Sequence, residues 1–168
     1  EIRIEPTNIC NAKCIMCPSS TMNREKGVMS SETHQVILKK LSDWGAPISI
    51  ITHAGLGEPL LDKNLEERIK NEKKVFPHAQ IIVYTNGGLL SKERSITLIE
   101  SGVDVVSFSI NAFKKETYEM IMNIPRDITY RNVEQFLEIK QKSCAKVNIH
   151  VSLVKTDICL SDEVEEFK

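Results

Sequence analysis

The chain has 168 residues, of which 41% are hydrophobic and 27% charged, and its formal net charge is −1. This length and composition suit one domain with a sizeable core, and so small a net charge does not indicate a nucleic acid or an anionic membrane surface as a partner. No apolar run in the sequence approaches the roughly 20 residues that a membrane-spanning helix needs.

Segments with the pattern of strands alternate with segments with the pattern of helices. The predicted strands are short and mostly apolar, and they cover residues 2–5, 48–52, 80–85, 103–110 and 146–154. Three predicted helices have their N-caps at Ser31, Asp62 and Ser91, because Ser and Asp are favoured at that position. Pro125 separates two further helical pieces, 117–122 and 129–142, and a last helix begins at Ser161.

Strict alternation of strands and helices predicts an α/β fold with a parallel sheet and right-handed crossovers. Five parallel strands fit a doubly wound sheet or an incomplete (β/α) barrel, and the periodicity does not distinguish the two. In both architectures the chemistry is expected at the carboxyl ends of the strands. No internal repeat or linker divides the sequence, so we interpret residues 1–168 as one domain.

The cysteines form the strongest chemical pattern. Five are present, and Cys10, Cys14 and Cys17 lie within eight residues directly after the first predicted strand. An odd number with one tight cluster is not typical of a disulfide framework, and in a reducing cytosol it favours metal ligation. Thiolates suit iron–sulfur clusters and zinc, and three of them can hold three irons of a [4Fe–4S] cluster while the fourth iron stays open.

A structural zinc site is the main alternative, with His34 or Cys144 as its fourth ligand. Zinc sites of that kind usually contain two Cys-x-x-Cys pairs, and the sequence has no second pair. A plain ferredoxin would need a fourth nearby cysteine and has no use for a parallel sheet.

The spacing from Cys10 to Cys17, Cys-x-x-x-Cys-x-x-Cys, resembles the signature of the radical S-adenosylmethionine (radical SAM) superfamily. Met16 stands where that superfamily often has an aromatic residue, and it could shield a cluster from water. The resemblance implies that Cys10, Cys14 and Cys17 bind a [4Fe–4S] cluster whose open iron binds S-adenosylmethionine (SAM).

A second motif follows the second predicted strand and consists of Gly55, Leu56, Gly57, Glu58 and Pro59. Alone, such a run is typical of an ordinary turn before a helix. Beside the cysteine loop it resembles the Gly-Gly-Glu-Pro motif of the same superfamily, with Leu56 in place of the first glycine. The resemblance implies that this turn holds the amino group of SAM through Glu58 and backbone carbonyls.

Further matches follow in chain order. Thr85 and Asn86 resemble the end of the superfamily's third strand, and Ser109 and Asn111 resemble the Ser-Ile-Asp of its fourth. Ser109 and Asn111 alternate, so they face the same way on a strand, and the resemblance implies that they contact the nucleoside of SAM. The alternative for each is capping of a strand end.

Three more polar residues have two interpretations each. The resemblance implies that Arg126 or Arg131 binds the methionine carboxylate of SAM, whereas either arginine alone is more typical of a solvated surface. His53, at the end of the second predicted strand, is slightly more typical of a hydrogen-bonded core histidine than of a substrate contact.

The resemblance also implies a fold, a partial TIM-like barrel of six strands, of which five are present. Residues 1–168 would then be a radical SAM core domain that is incomplete at its C-terminus. Glu116, Thr117 and Tyr118 resemble the branch with a C-terminal cluster-binding extension (SPASM or twitch type), and that extension would be absent.

The implied activity is reductive cleavage of SAM at the cluster, which gives a 5′-deoxyadenosyl radical that abstracts hydrogen from an unidentified substrate. The expected setting is the cytoplasm, with an electron donor such as flavodoxin or ferredoxin. Two other classes stay open at this point, a cluster-binding redox or iron sensor without turnover and a zinc-stabilised interaction domain.

Overall fold

The computed structural model describes residues 1–158, which form one sheet and five α-helices. The strands are β1 (Ile2–Ile4), β2 (Ile50–His53), β3 (Gln80–Thr85), β4 (Val105–Ser109) and β5 (Asn148–Ser152). The helices are α1 (Ser31–Trp44), α2 (Leu65–Val75), α3 (Lys92–Glu100), α4 (Lys115–Met122) and α5 (Arg126–Lys142). Strands β4 and β5 are shorter than predicted, and the predicted helix at Ser161, like Cys159, lies outside the described residues.

The order of the strands in space distinguishes the two predicted architectures. All neighbouring strands pair in parallel, in the order β1-β2-β3-β4-β5. A doubly wound sheet would reverse its direction at a switch point, whereas right-handed crossovers that always advance the same way place every helix on one face. The predicted α/β fold with a partial TIM-like barrel is therefore confirmed, and the five described strands do not close.

The core lies between the sheet and the helices. Alternate residues of the strands point into it, including Ile81 and Val83 of β3 and Phe108 of β4, which are fully buried. Phe108 packs edge-on against Phe136 of α5, with ring centroids 5.7 Å apart. Each such side chain stabilises the fold by about 1.5–3 kcal/mol relative to exposure. Tyr84 lies on the opposite, concave face and is 40% exposed.

Of the three predicted N-caps, only one is found at its predicted residue, and α4 and α5 begin two and three residues before their predicted starts. Helix α1 is capped by Ser30, one residue earlier than predicted, because its Oγ accepts the N–H of Thr33 at 3.1 Å. Ser91 caps α3 as predicted. Asp62 does not cap α2, because its carboxylate accepts the N–H of Asn64 at 2.9 Å and pairs with the buried Arg68 at 2.6 Å.

Candidate cofactor-binding site

A cavity of about 200 Å³ lies at the carboxyl ends of β1 to β4. The cysteine loop, the glycine turn after β2 and the ends of β3 and β4 line it. The structure thus brings together Cys10, Cys14 and Cys17 with all of the predicted cofactor-binding residues except Pro59 and Arg126. Segments that are far apart in sequence meet here because parallel strands present their carboxyl ends at one edge of the sheet.

The end of helix α4 holds the cysteine loop in place. The N–H of Lys13 donates to the carbonyl of Met122 at 3.3 Å, and the N–H of Ile15 donates to the carbonyl of Ile121 at 3.0 Å. The last carbonyls of a helix have no partner within the helix, so the loop satisfies them. Asn123, with a φ of 54°, ends the helix in the left-handed conformation and leaves these carbonyls accessible.

The three loop thiols are close enough to influence one another electrostatically. Burial, followed by the charges of Cys10 and Cys17, raises the pKa of Cys14 to about 11. Burial also raises the pKa of Cys10 above its ordinary value. Three adjacent thiolates therefore need a cationic partner, and the donor set of three soft ligands beside an open cavity fits a [4Fe–4S] cluster.

The same geometry does not support the zinc alternative. Within residues 1–158, no group of three or more His, Cys, Asp or Glu side chains is arranged to hold one metal ion. Of the predicted fourth ligands, His34 is buried and bonded to Glu72 at 2.8 Å, and Cys144 lies exposed beyond the end of α5. A four-iron cluster differs from zinc in that each thiolate binds its own iron.

The glycine turn packs directly on the segment that leads into the cysteine loop. The N–H of Glu58 donates to the carbonyl of Ile9 at 2.8 Å. A Cβ on Gly57 would overlap the carbonyl oxygen of Thr7, which is backbone and cannot rotate away. Gly57 is therefore needed for a close approach between two backbones, as the motif indicates.

Glu58 is buried and joins the turn to the end of β3. Its Oε1 accepts the hydroxyl of Thr85 at 2.6 Å and the N–H of Leu60 at 3.1 Å, and its Oε2 accepts the N–H of Asn86 at 2.8 Å. Burial raises the pKa of Glu58 although these hydrogen bonds oppose the shift. All three donors are neutral, and a carboxylate has about four acceptor positions, so one position remains for a cationic group in the cavity.

The asparagines of the site link its separate segments. Asn86 donates through Nδ2 to Oδ1 of Asn11 at 2.9 Å, next to Cys10. Asn111 donates through Nδ2 to Sδ of Met122 at 2.8 Å and accepts the N–H of Val154 at 2.9 Å. Ser109, half-buried at the end of β4, and Asn111, two residues beyond the strand, both line the cavity and so face the same way, as their alternation predicted.

Several members of the site escaped the sequence analysis. Tyr84 and Met122 line the cavity, and Sδ of Met122 lies 3.5 Å from Sγ of Cys14. Tyr84 directly precedes Thr85 at a strand end, so the sequence could have indicated it. Met122 lies 108 residues from Cys14 in the sequence, and only the fold brings the two together.

Arg126 lies away from the cavity. Its guanidinium stacks on the ring of Tyr130, 3.8 Å from the centroid, and its Nε donates to the carbonyl of Phe113 at 2.7 Å. Arg131 is exposed. Pro59, the remaining predicted residue outside the cavity lining, is buried in a short 3₁₀ turn, Pro59–Leu61, directly after Glu58.

Comparison with protein families gives one match that covers nearly the whole chain. The family model described as the Radical SAM superfamily matches residues 4–165.

Within residues 1–158, no helix is both long and apolar enough to cross a membrane.

Two curated relatives show how the likeness extends. The chain is 36% identical over 105 residues to the S-adenosyl-L-methionine-dependent 2-deoxy-scyllo-inosamine dehydrogenase of Niallia circulans, which covers 61% of this chain and 41% of the relative. The chain is also 28% identical over 193 residues to a probable GTP 3′,8-cyclase of Methanothermobacter marburgensis. This second alignment covers 99% of this chain and 61% of the relative. The chain thus spans about two fifths to three fifths of the length of these relatives.

A solved structure shows the same fold with SAM bound. The structure of BtrN in complex with AdoMet (SAM) and 2-DOIA superposes on this chain with a TM-score of 0.62 and 26% sequence identity. The superposition covers 89% of this chain and 55% of BtrN.

Proposed function

The chain belongs to the radical SAM superfamily, whose cofactors are a [4Fe–4S] cluster and SAM, and we propose that it binds both in the cavity described above and acts as an enzyme of that family. When bound, the cluster would supply the electron for reductive cleavage of SAM, and SAM would supply the radical that abstracts a hydrogen atom from the substrate. The protein contributes binding, orientation and the exclusion of water.

One observation carries the proposal: the three loop thiols, the glycine turn and the ends of β3 and β4 all line a single cavity. In this arrangement Cys10, Cys14 and Cys17 each bind one iron. The side of the cavity opposite the loop offers the acceptors that an ammonium group needs. Met122 is buried beside Cys14 and covers one side of that thiol.

The remaining predicted residues contact different parts of SAM in our proposal. Glu58 and the carbonyls of the glycine turn accept hydrogen bonds from the amino group. Thr85 and Asn86 hold Glu58 in place, and Ser109 and Asn111 face the nucleoside. Arg126 is left out, because its stacking on Tyr130 holds it away from the cavity.

The names of the two relatives indicate different substrates, 2-deoxy-scyllo-inosamine for one and GTP for the other. We therefore propose the shared step, hydrogen abstraction by the SAM-derived radical, and leave the substrate unnamed. An electron donor such as flavodoxin or ferredoxin would reduce the cluster.

Anaerobic reconstitution with iron and sulfide tests the proposal. We expect visible absorbance typical of a [4Fe–4S] cluster, an electron spin resonance signal that changes when SAM is added, and release of 5′-deoxyadenosine from SAM after reduction with dithionite. Cys14→Ala is the negative control. A cluster that neither responds to SAM nor cleaves it would indicate a sensor, and a colourless protein that retains zinc would indicate an interaction domain; either result overturns the proposal.

A further inference from the structure

Glu5, directly after β1, contacts the glycine turn from outside the cavity lining. Its Oε1 accepts the N–H of Leu56 at 2.7 Å. Gly55 lies so close that a Cβ at this position would overlap the carboxyl group of Glu5. The glycine at position 55 thus allows the side chain of Glu5 to reach the backbone of the turn.

This hydrogen bond fixes the orientation of the peptide unit between Gly55 and Leu56 at the cavity. The peptide unit between Gly55 and Leu56 is planar and trans, so its N–H and C=O point in opposite directions. Since the N–H of Leu56 is held by Glu5, the carbonyl of Gly55 points away from Glu5. Gly55 and Leu56 both line the cavity, and Glu5 does not.

We propose that Glu5 is a positioning residue for SAM, which sets the direction of the Gly55 carbonyl as an acceptor for the SAM amino group. This inference rests on the proposed function, because it assumes that SAM binds at the glycine turn. Glu5 acts through the backbone of the turn and does not itself touch SAM.

The second oxygen of Glu5 has a separate partner. Its Oε2 accepts from Nη2 of Arg24 at 2.5 Å, and the side chains of Glu5 and Arg24 are 26% and 54% exposed. More than half of the Arg24 side chain is exposed, so solvent screens this ion pair and the contact with Leu56 does not depend on it. Because the two oxygens have different partners, the two contacts are separable by mutation.

The test compares four variants in SAM titrations of the reconstituted, anaerobic protein, with iron content measured in parallel. Glu5→Ala removes the acceptor, and we expect SAM affinity to fall about tenfold to a hundredfold, the range for a hydrogen bond to a charged group, with unchanged iron content. Glu5→Gln keeps an acceptor oxygen, and Arg24→Gln keeps the carboxylate, so both should stay within a few-fold of the wild type. Glu25→Gln, at an exposed neighbouring position, is the matched control for loss of a negative charge.

The outcomes separate this inference from the proposed function. Wild-type protein that does not bind SAM overturns both. Wild-type binding together with unchanged affinity in Glu5→Ala overturns the inference alone. A loss in Arg24→Gln as large as that in Glu5→Ala also overturns it, because the ion pair and not the Leu56 contact would then matter.

A second measurement covers the case in which Glu5→Ala fails to load its cluster. Amide hydrogen exchange at Leu56, measured without the cluster, reports the hydrogen bond directly. We expect protection in the wild type and in Glu5→Gln and its loss in Glu5→Ala. Rapid exchange of the Leu56 amide in the folded wild type would overturn the inference.

Discussion

At the scale of single residues, the site depends on small distances between backbones. The turn at Gly57 and the segment at Thr7 approach so closely that there is no room for a methyl group between them. The N–H of Glu58 donates to the carbonyl of Ile9, one residue before Cys10, so a shift of the turn would also move the cysteine loop. The amino-group side of the proposed SAM site and its metal side are therefore mechanically coupled.

Gly57→Ala should disturb both sides of the site. The added Cβ overlaps backbone, so the turn must move, and we expect the free energy of unfolding to fall by about 1–3 kcal/mol, the usual cost of overpacking. SAM affinity should fall as well. Gly27→Ala is the matched control, because its Cβ would meet nothing within 4 Å, and its stability should change by less than about 0.5 kcal/mol. Urea unfolding of both variants checks this, and equal effects would contradict the role of the close approach.

The loop cysteines should be individually necessary. Each of Cys10, Cys14 and Cys17 lines the cavity, and each would bind a different iron, so replacement of any one by Ala should abolish the cluster. Cys144 is exposed and lies beyond α5, so Cys144→Ala should keep it. Iron content and visible absorbance after reconstitution measure the effect. Loss of the cluster in Cys144→Ala, or its retention in Cys17→Ala, would refute the ligand assignment.

At the scale of elements, a buried polar cluster joins α1, α2 and β2. Glu72 of α2 accepts from Nε2 of His34 and from Nε2 of His53, each at 2.8 Å, and all three side chains are almost completely buried. This confirms the interpretation of His53 as a core histidine. His53 is the last residue of β2, directly before the glycine turn, so the cluster also anchors the strand end from which the turn leaves.

Glu72→Gln should reveal a pH-dependent contribution to stability. Burial raises the pKa of Glu72, but the hydrogen bonds from His34 and His53 outweigh burial, and the pKa lies below its usual value. A lowered pKa in the folded state means that the stabilisation is present above the pKa of the unfolded chain, about 4.3, and is lost as the pH falls through the folded value. We expect the wild type to be more stable than Glu72→Gln by about 1–3 kcal/mol at neutral pH, with the difference narrowing in acid.

Urea unfolding across this pH range measures the difference. The control is Glu134→Gln, at an exposed position in the middle of α5, which should parallel the wild type at every pH. A Glu72→Gln protein whose deficit stays constant down to about pH 3 would show that the charge of Glu72 does not stabilise the fold.

At the scale of the whole molecule, the cavity is assembled from segments that span residues 10 to 122. A ligand that contacts all of them binds the folded chain and not the unfolded one, so it stabilises the entire fold by mass action. Hydrogen bonds connect these segments one after another. The cysteine loop binds to the end of α4, the glycine turn binds to the segment before that loop, and Glu58 of the turn binds to the end of β3.

SAM should therefore raise the melting temperature of the cluster-loaded protein. At a free concentration 100 times its Kd, SAM should add about 2.7 kcal/mol, which corresponds to a shift of about 5–10 °C for a domain of this size. Anaerobic thermal unfolding followed by circular dichroism measures the shift. Cys14→Ala serves as the control, since without the cluster SAM should have a much smaller effect. An equal shift in that control would place SAM binding outside the proposed site.

The sequence by itself determined the features that depend on local spacing. The alternation of strands and helices, the cysteine loop and the glycine turn with Gly57 are short-range patterns, so they predicted the α/β class and the family without a structure. The helix caps were less certain, because Asp62 can cap a helix or pair with Arg68, and only the burial of Arg68 favours the second role.

The tertiary structure decided the contacts between residues that are distant in sequence. The sequential strand order selected the partial barrel over the doubly wound sheet, the stacking on Tyr130 kept Arg126 away from the cavity, and a contact over 51 residues brought Glu5 to Leu56. No local pattern encodes such contacts, because they arise only when the strands align their carboxyl ends at one edge and the helices pack on one face.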